Sequence, residues 1–185
     1  MRDFLLDTQT IRYWYDSTCI EHPAVARNVQ RVRELVAPME VQPKLLVSVI
    51  SLGEIEYGHR VAHAPNPAIQ TEYTEFVARE LPDALELLKD ATEIYGELRA
   101  RLFNKFAPGE KRRRKMRPEQ LIDPITSKGL EIQENDLWLS AQAMAHGMAL
   151  VSNDRMTRIR EVARGMNVQL LIQNWTSENT AQILK

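Results

Sequence analysis

Cysteine is nearly absent: Cys19 is the only one among 185 residues. An internal disulfide and a Cys-built zinc cluster are thereby excluded, and a reducing, cytoplasmic setting is expected. A charge excess of either sign is missing too. Lys and Arg number 24 against 25 Asp and Glu, a formal net charge of −1. That excludes a uniformly basic nucleic-acid binder but not a local basic patch. Long apolar runs are also lacking. The longest charge-free stretch, Leu137 to Asn153, contains Ser140, Gln142, His146 and Gly147, and it is too short and too polar to cross a bilayer. Asp3 and Asp7 interrupt the first apolar stretch, so it does not read as a signal peptide. No internal repeat is visible. What remains is an ordinary globular composition, 44% hydrophobic and 26% charged, which excludes a disordered tail or a fibre. The length suits a single domain, 1–185.

Four short apolar runs stand out: Phe4–Leu6, Leu45–Ile50, Met148–Val151 and Val168–Ile172. They are continuous rather than alternating, as expected of strands covered on both faces in a parallel sheet. Helical stretches separate them: Thr8–Asp16, Pro23–Val36, Ser51–Ala62, Pro67–Leu81, Pro82–Phe106, Asn135–His146 and Arg155–Arg164. Gly147 and Gly165 stand where helix C-termini favour glycine. Alternating strands and helices predict an α/β fold with a mainly parallel sheet. Residues 59–130 form a helical arm inside the domain. Within it, 108–118 carries the run Lys111-Arg112-Arg113-Arg114-Lys115-Met116-Arg117, bracketed by Pro108-Gly109 and Pro118.

Acidic residues recur at corresponding places. Asp7 ends the first strand, Glu54 follows the second, and Asp154 follows the third after Ser152-Asn153. Strand C-termini in a parallel sheet share one edge, where ligands bind, so these three are expected to converge there. Asp136 opens a helix, and pattern alone places it less firmly. Each residue also has a plain structural reading. Asp7 and Asp154 make good N-caps. Ser51 and Glu54 match a capping box, and Asn135 with Asp136 suits a helix start. Taken together, several carboxylates at one edge repel each other, and a cation best explains the cluster. All-oxygen ligands favour a hard ion, Mg²⁺ or Mn²⁺.

The blocks Leu5-Leu6-Asp7-Thr8, Ser48 to Gly58, Asn135 to Ala141 and Leu150 to Asp154, in that order, resemble a PIN-domain ribonuclease. The similarity is greatest to the VapC-type toxins of bacterial toxin–antitoxin pairs, and Ile172-Gln173-Asn174-Trp175 resembles how those chains end. The blocks bracket most of the chain; 59–130 matches only as generic helices. The resemblance implies a three-layer α/β/α fold and an acidic pocket of Asp7, Glu54, Asp136 and Asp154, with Asp7 and Asp136 as the leading metal ligands. It implies Mg²⁺- or Mn²⁺-dependent endoribonuclease activity on an RNA substrate, a cognate antitoxin as partner, and Thr8, Ser152 and Asn153 as supporting polar residues. A homodimer is allowed by the apolar helices of the arm. Gln9 departs from the family's usual Asn, and the family pattern assigns no role to the basic run.

Other readings stand beside this one. A non-catalytic PIN-like module would bind RNA or protein without cutting. A haloacid-dehalogenase-type phosphatase would want a second Asp where Gln9 stands. Lys111, Arg112, Arg113, Arg114, Lys115 and Arg117 are candidates for gripping RNA phosphates, or form a solvated loop. Residues 99–117 carry nine basic residues and one acid, a local +8 that leaves −9 for the rest. Glu54 and Glu56 differ by about 200° around a helix, so only one can face a pocket. His59 and His63, four apart, lack a third ligand nearby and read as a helix face. Tyr13-Trp14-Tyr15 read as packing a short helix onto the core or, if exposed, as lining a groove for a partner helix; Trp138 and Leu139 read as core, and Cys19 as a small buried apolar group.

Overall fold

The computed structural model describes residues 2–36, 43–111 and 115–176, with the side chains at 35 and 36 excepted. The chain divides into two compact units. The first comprises Met1–Glu86, Met148–Arg155 and Ile172–Lys185; the second comprises Leu87–Gly147 and Met156–Leu171.

The first unit is built on strands β1 (Phe4–Leu6), β2 (Leu45–Ser48), β3 (Ala84–Leu85), β4 (Ala149–Val151) and β5 (Leu171–Gln173), ordered β3-β2-β1-β4-β5. β1 is central and parallel to both neighbours, with Leu5 beside Leu46 and Leu150. β2 and β3 are parallel as well. All three residues of β1 are buried, and those of β4 too, which is why these strands read as unbroken apolar runs. Four helices belong to this unit: α1 (Thr8–Tyr15), α2 (His22–Val36), α3 (Val49–Val61) and α4 (Pro67–Glu80). Val25, Val29 and Val32 of α2 are buried at helical spacing. Trp14 meets Phe76 edge-on at 5.1 Å, and Tyr15 lies 4.8 Å from Tyr73, so two of the three aromatics of the triplet pack against α4. Trp175 is 1% exposed. Its ring sits 5.2 Å from Phe4, and its carbonyl accepts from Asn28 Nδ2 at 3.1 Å.

The second unit contains α5 (Lys89–Phe106), a 3-10 turn at Pro118–Gln120, α6 (Glu134–Ala145) and α7 (Thr157–Ala163). Leu98, Leu102, Leu137 and Leu139 are buried in it. Trp138, expected in the core, is instead half-buried, because its ring stacks on Tyr95 at the edge of the packed layer, whereas Leu139 is buried as expected. Gly147 (φ 64°) and Gly165 (φ 83°) end α6 and α7 in the left-handed conformation that favours glycine. Residues 121–130 form a tight turn around Asp123, whose Oδ1 accepts from the Ile125 and Thr126 N–H groups. Its Oδ2 accepts from Arg158 at 2.6 Å.

Four local expectations shift. β2 ends at Ser48, because the Ser48 hydroxyl accepts from the Ile50 N–H at 3.0 Å and starts α3 there. Ser51 is therefore inside the helix rather than capping it. Residues 82–106 are not one helix: β3 precedes α5, which begins at Lys89. The last strand starts at Leu171 rather than Val168. Cys19 is half-buried in a turn, not a core residue.

Candidate active site

Asp7 follows β1 directly and is 9% exposed. Its N–H donates to the Val151 carbonyl at 3.0 Å, extending the β1–β4 ladder by one residue. Its Oδ1 accepts from the Thr10 N–H at 2.6 Å, so Asp7 is the N-cap of α1. Thr10, itself buried, donates its hydroxyl to the Val151 carbonyl at 3.2 Å. Backbone and side chain are thus fixed from several directions. Burial pushes the Asp7 carboxyl above its ordinary value. Hydrogen bonds from Ser152 and Thr10 pull the other way, and the charge of Glu54 adds to the rise.

Glu54 lies on α3, half-buried, and accepts a hydrogen bond from the Thr8 hydroxyl. Glu56 is exposed and paired with Arg60, so α3 presents Glu54, not Glu56, toward Asp7 and Thr8. Ser152 is buried at the end of β4. Its hydroxyl accepts from the Asp154 N–H at 3.0 Å, and so links the turn bearing Asp154 to Asp7. Asp154 is exposed and does not cap α7, which starts after Met156 at φ 45°. Asn153 accepts from Asn174 Nδ2 at 3.1 Å and from the Thr176 hydroxyl at 3.0 Å, an anchor for the chain's last described turn. Gln9 is exposed and donates to the Tyr13 hydroxyl at 2.7 Å.

Asp136 belongs to the second unit. Half-buried in the first turn of α6, it accepts from the Gln133 N–H at 3.2 Å. Gln133, not Asn135, is the N-cap. Of the basic run, Lys111, Lys115 and Arg117 are exposed residues of the same unit. Arg112, Arg113 and Arg114 lie outside the described residues.

Sequence reasoning missed Thr10, whose hydroxyl bonds a main-chain carbonyl that no side-chain pattern announces. It also missed Tyr73, whose buried hydroxyl has no hydrogen-bond partner among the described residues. Burial chiefly pushes the Tyr73 pKa above its ordinary value, with Arg12 opposing and Tyr15 and Asp7 adding to the rise. No sequence signal marks that position.

The donor chemistry fits a divalent cation in two respects. Asp7 and Glu54 offer hard oxygen ligands. Their mutual repulsion, with Asp7 desolvated, makes positive charge favourable beside them. Among the described residues, however, no three Asp, Glu, His or Cys side chains are grouped as a ready-made metal site. The same holds around His59 and His63.

A central parallel strand that ends in a buried carboxylate, with a second carboxylate from the next strand's helix, defines an α/β protein with an acidic strand-edge site. No protein-family model matches the chain, and no curated protein does either. Solved structures do. The chain resembles one in VapBC2 from Rickettsia felis, solved bound to a DNA fragment from its promoter. The TM-score is 0.63 at 20% identity, over 93% of this chain and 98% of that one. VapBC-1 from nontypeable Haemophilus influenzae is similar at a TM-score of 0.57 and 19% identity, over 94% and 98%. VapBC-5 from Mycobacterium tuberculosis, of the VapBC family of toxin–antitoxin systems, reaches 0.51 at 17% identity, over 94% and 98%. The fold is the PIN-domain fold of VapC chains. Among the described residues, no helix is long and apolar enough to cross a membrane.

Proposed function

We propose that this chain is a cytoplasmic Mg²⁺- or Mn²⁺-dependent endoribonuclease that hydrolyses RNA phosphodiester bonds. In this reading it is the toxin of a toxin–antitoxin pair and is restrained by a cognate antitoxin protein. One observation carries the proposal: a desolvated Asp7 ends the central strand with Glu54 charged beside it, in a fold shared with VapBC chains. A carboxylate that needed only to cap α1 would do so exposed, without the cost of burial.

Asp7 and Glu54 are the proposed ligands held in the first unit. Asp136, and Asp154 directly or through water, are assigned to the same chemistry on the order of the sequence blocks. A bound divalent cation would orient and activate water and offset charge on the attacked phosphate. Thr10 and Ser152 keep Asp7 aligned, and Thr8 does the same for Glu54. Alignment of this kind is what lets a carboxylate act without rearranging first. The basic run is proposed to contact RNA phosphates, and homodimerisation is consistent with the exposed apolar residues Tyr57, Val61 and Ile69 on α3 and α4.

The same acids would be inert in a non-catalytic RNA- or protein-binding module. That reading is favoured by one observation, the lack of a three-ligand group among the described residues. Incubating pure protein with a mixed-sequence RNA and Mn²⁺, with EDTA as the control, separates the two. Metal-dependent fragments from the wild type, lost in Asp7→Asn, support the nuclease. Intact RNA that is nevertheless bound supports the module.

A further inference from the structure

Arg99 lies on α5, one turn beyond Tyr95, and its guanidinium reaches three partners within the second unit. One nitrogen donates to the Tyr95 hydroxyl and to Glu134 Oε1, the latter at 2.5 Å. The other donates to the Met116 carbonyl at 2.9 Å. Tyr95 also donates to Glu134, and its ring stacks on Trp138 with centroids 3.7 Å apart and planes 2° from parallel. Glu134 opens α6, and its N–H donates to Glu119 Oε1 at 2.9 Å. The Arg117 N–H donates to Gln120 Oε1 at 2.8 Å, which fixes where the basic run enters the 3-10 turn.

An ion pair joining α5 to α6 would need only Arg99 and Glu134. The third bond is different. It ends on a main-chain carbonyl of the basic run, and holding that carbonyl and a carboxylate at once takes a planar fork rather than a point charge. Asp136 stands in the turn that Glu134 opens. Lys115 and Arg117, on either side of the tethered Met116, are exposed.

We propose that Arg99 is a positioning residue that pins the end of the basic run to the first turn of α6, so that RNA phosphates held by Lys115 and Arg117 are presented in fixed register with Asp136. The inference rests on the ribonuclease reading and adds to it how substrate is seated. It also accounts for the isolation of so much positive charge in one segment. A free charged loop would attract RNA but not place it.

The test is binding of a fluorescein-labelled single-stranded oligoribonucleotide, read by anisotropy in EDTA between about 50 and 200 mM salt. Each phosphate contact on single-stranded RNA contributes about 0.7 to the log–log salt slope. Lys115→Gln/Arg117→Gln is expected to flatten the slope by about 1.4, the loss of two contacts. Arg99→Lys keeps the charge but not the fork. It should flatten the slope similarly and weaken binding several-fold, and adding it to the double variant should cost nothing further. Wild-type binding by Arg99→Lys, or losses that simply add, would overturn the proposal. Should Arg99→Lys melt too early to use, Glu134→Gln decides, because it weakens the fork's hold on α6 and leaves Lys115 and Arg117 intact: a flattened slope supports the proposal and a wild-type slope overturns it. Wild-type protein that neither binds nor cuts RNA refutes the ribonuclease reading and this inference together. Wild-type protein that does both while Arg99→Lys matches it refutes the inference alone.

Discussion

Asp7→Asn changes one atom of the site and removes its most strained charge. The Asn side chain keeps an oxygen to accept from the Thr10 N–H, and Asn caps helices about as well as Asp. What disappears is a buried carboxylate whose pKa is raised by desolvation, with the charge of Glu54 adding to the rise. Such a group binds more protons folded than unfolded. Its contribution is fully present below the ordinary carboxylate value and is lost as pH rises through the raised folded value. Near neutral pH, Asp7 therefore destabilises the metal-free protein relative to acid. An incompletely compensated buried group costs about 1–3 kcal/mol, and a chain of this size gains about 2–4 °C in Tm per kcal/mol. Asp7→Asn should thus melt about 2–12 °C above wild type in EDTA near neutral pH. The gap should narrow as pH falls through the raised folded value, as wild-type Asp7 takes up its proton. Asp7→Ala should gain less, because it forfeits a cap worth about 0.5–2 kcal/mol. Mn²⁺ at a hundred times its Kd should stabilise wild type by about 2.7 kcal/mol and leave Asp7→Asn unmoved. An Asp7→Asn protein no more stable than wild type in EDTA, or a gap indifferent to pH, would refute the reasoning.

Trp175→Ala empties the site beside Phe4 and is expected to cost about 3–5 kcal/mol in urea unfolding; a loss below about 1 kcal/mol would show that the chain's end does not hold the core. Backbone N–H groups of Ile125 and Thr126, with Arg158 beside them, hold the Asp123 carboxyl below its usual range. That stabilisation is present above the unfolded carboxylate value and fades as pH falls through the lower folded value, so Asp123→Asn should be less stable than wild type near neutral pH and converge with it in acid. Neutralising Arg112, Arg113 and Arg114 together should weaken RNA binding and flatten its salt dependence. An unchanged slope would mean that the run does not touch phosphate.

The parts of the fold set by burial were legible in the chain. Phe4–Leu6 and Met148–Val151 read as continuous apolar runs because the sheet covers both faces. Gly147 and Gly165 read as helix ends because their positive φ disfavours a side chain. β3 was not legible: a two-residue strand leaves no periodicity, and its pairing is set by β2 alone. The start of α3 was misplaced because Ser48 and Ser51 are both plausible caps, and only the backbone chooses between them. Within the site, the placement of Asp7 followed from its strand end, whereas helix phase said only that one of Glu54 and Glu56 can face a pocket and the family resemblance favoured Glu54. Asp154 was legible as the residue after a strand but not as an exposed one. Thr10 and Arg99 went unread because their roles rest on bonds to main-chain carbonyls, at Val151 and Met116, which no side-chain pattern announces.

The most direct measurement is RNA cleavage by the pure wild-type protein with Mn²⁺ or Mg²⁺, beside Asp7→Asn and Asp136→Asn of verified fold. The account predicts metal-dependent fragments from wild type, none with EDTA, and a loss of at least about a hundredfold in each variant, the scale of removing a group that holds the reacting charge. Full cleavage surviving both substitutions, or proceeding equally in EDTA, would contradict it.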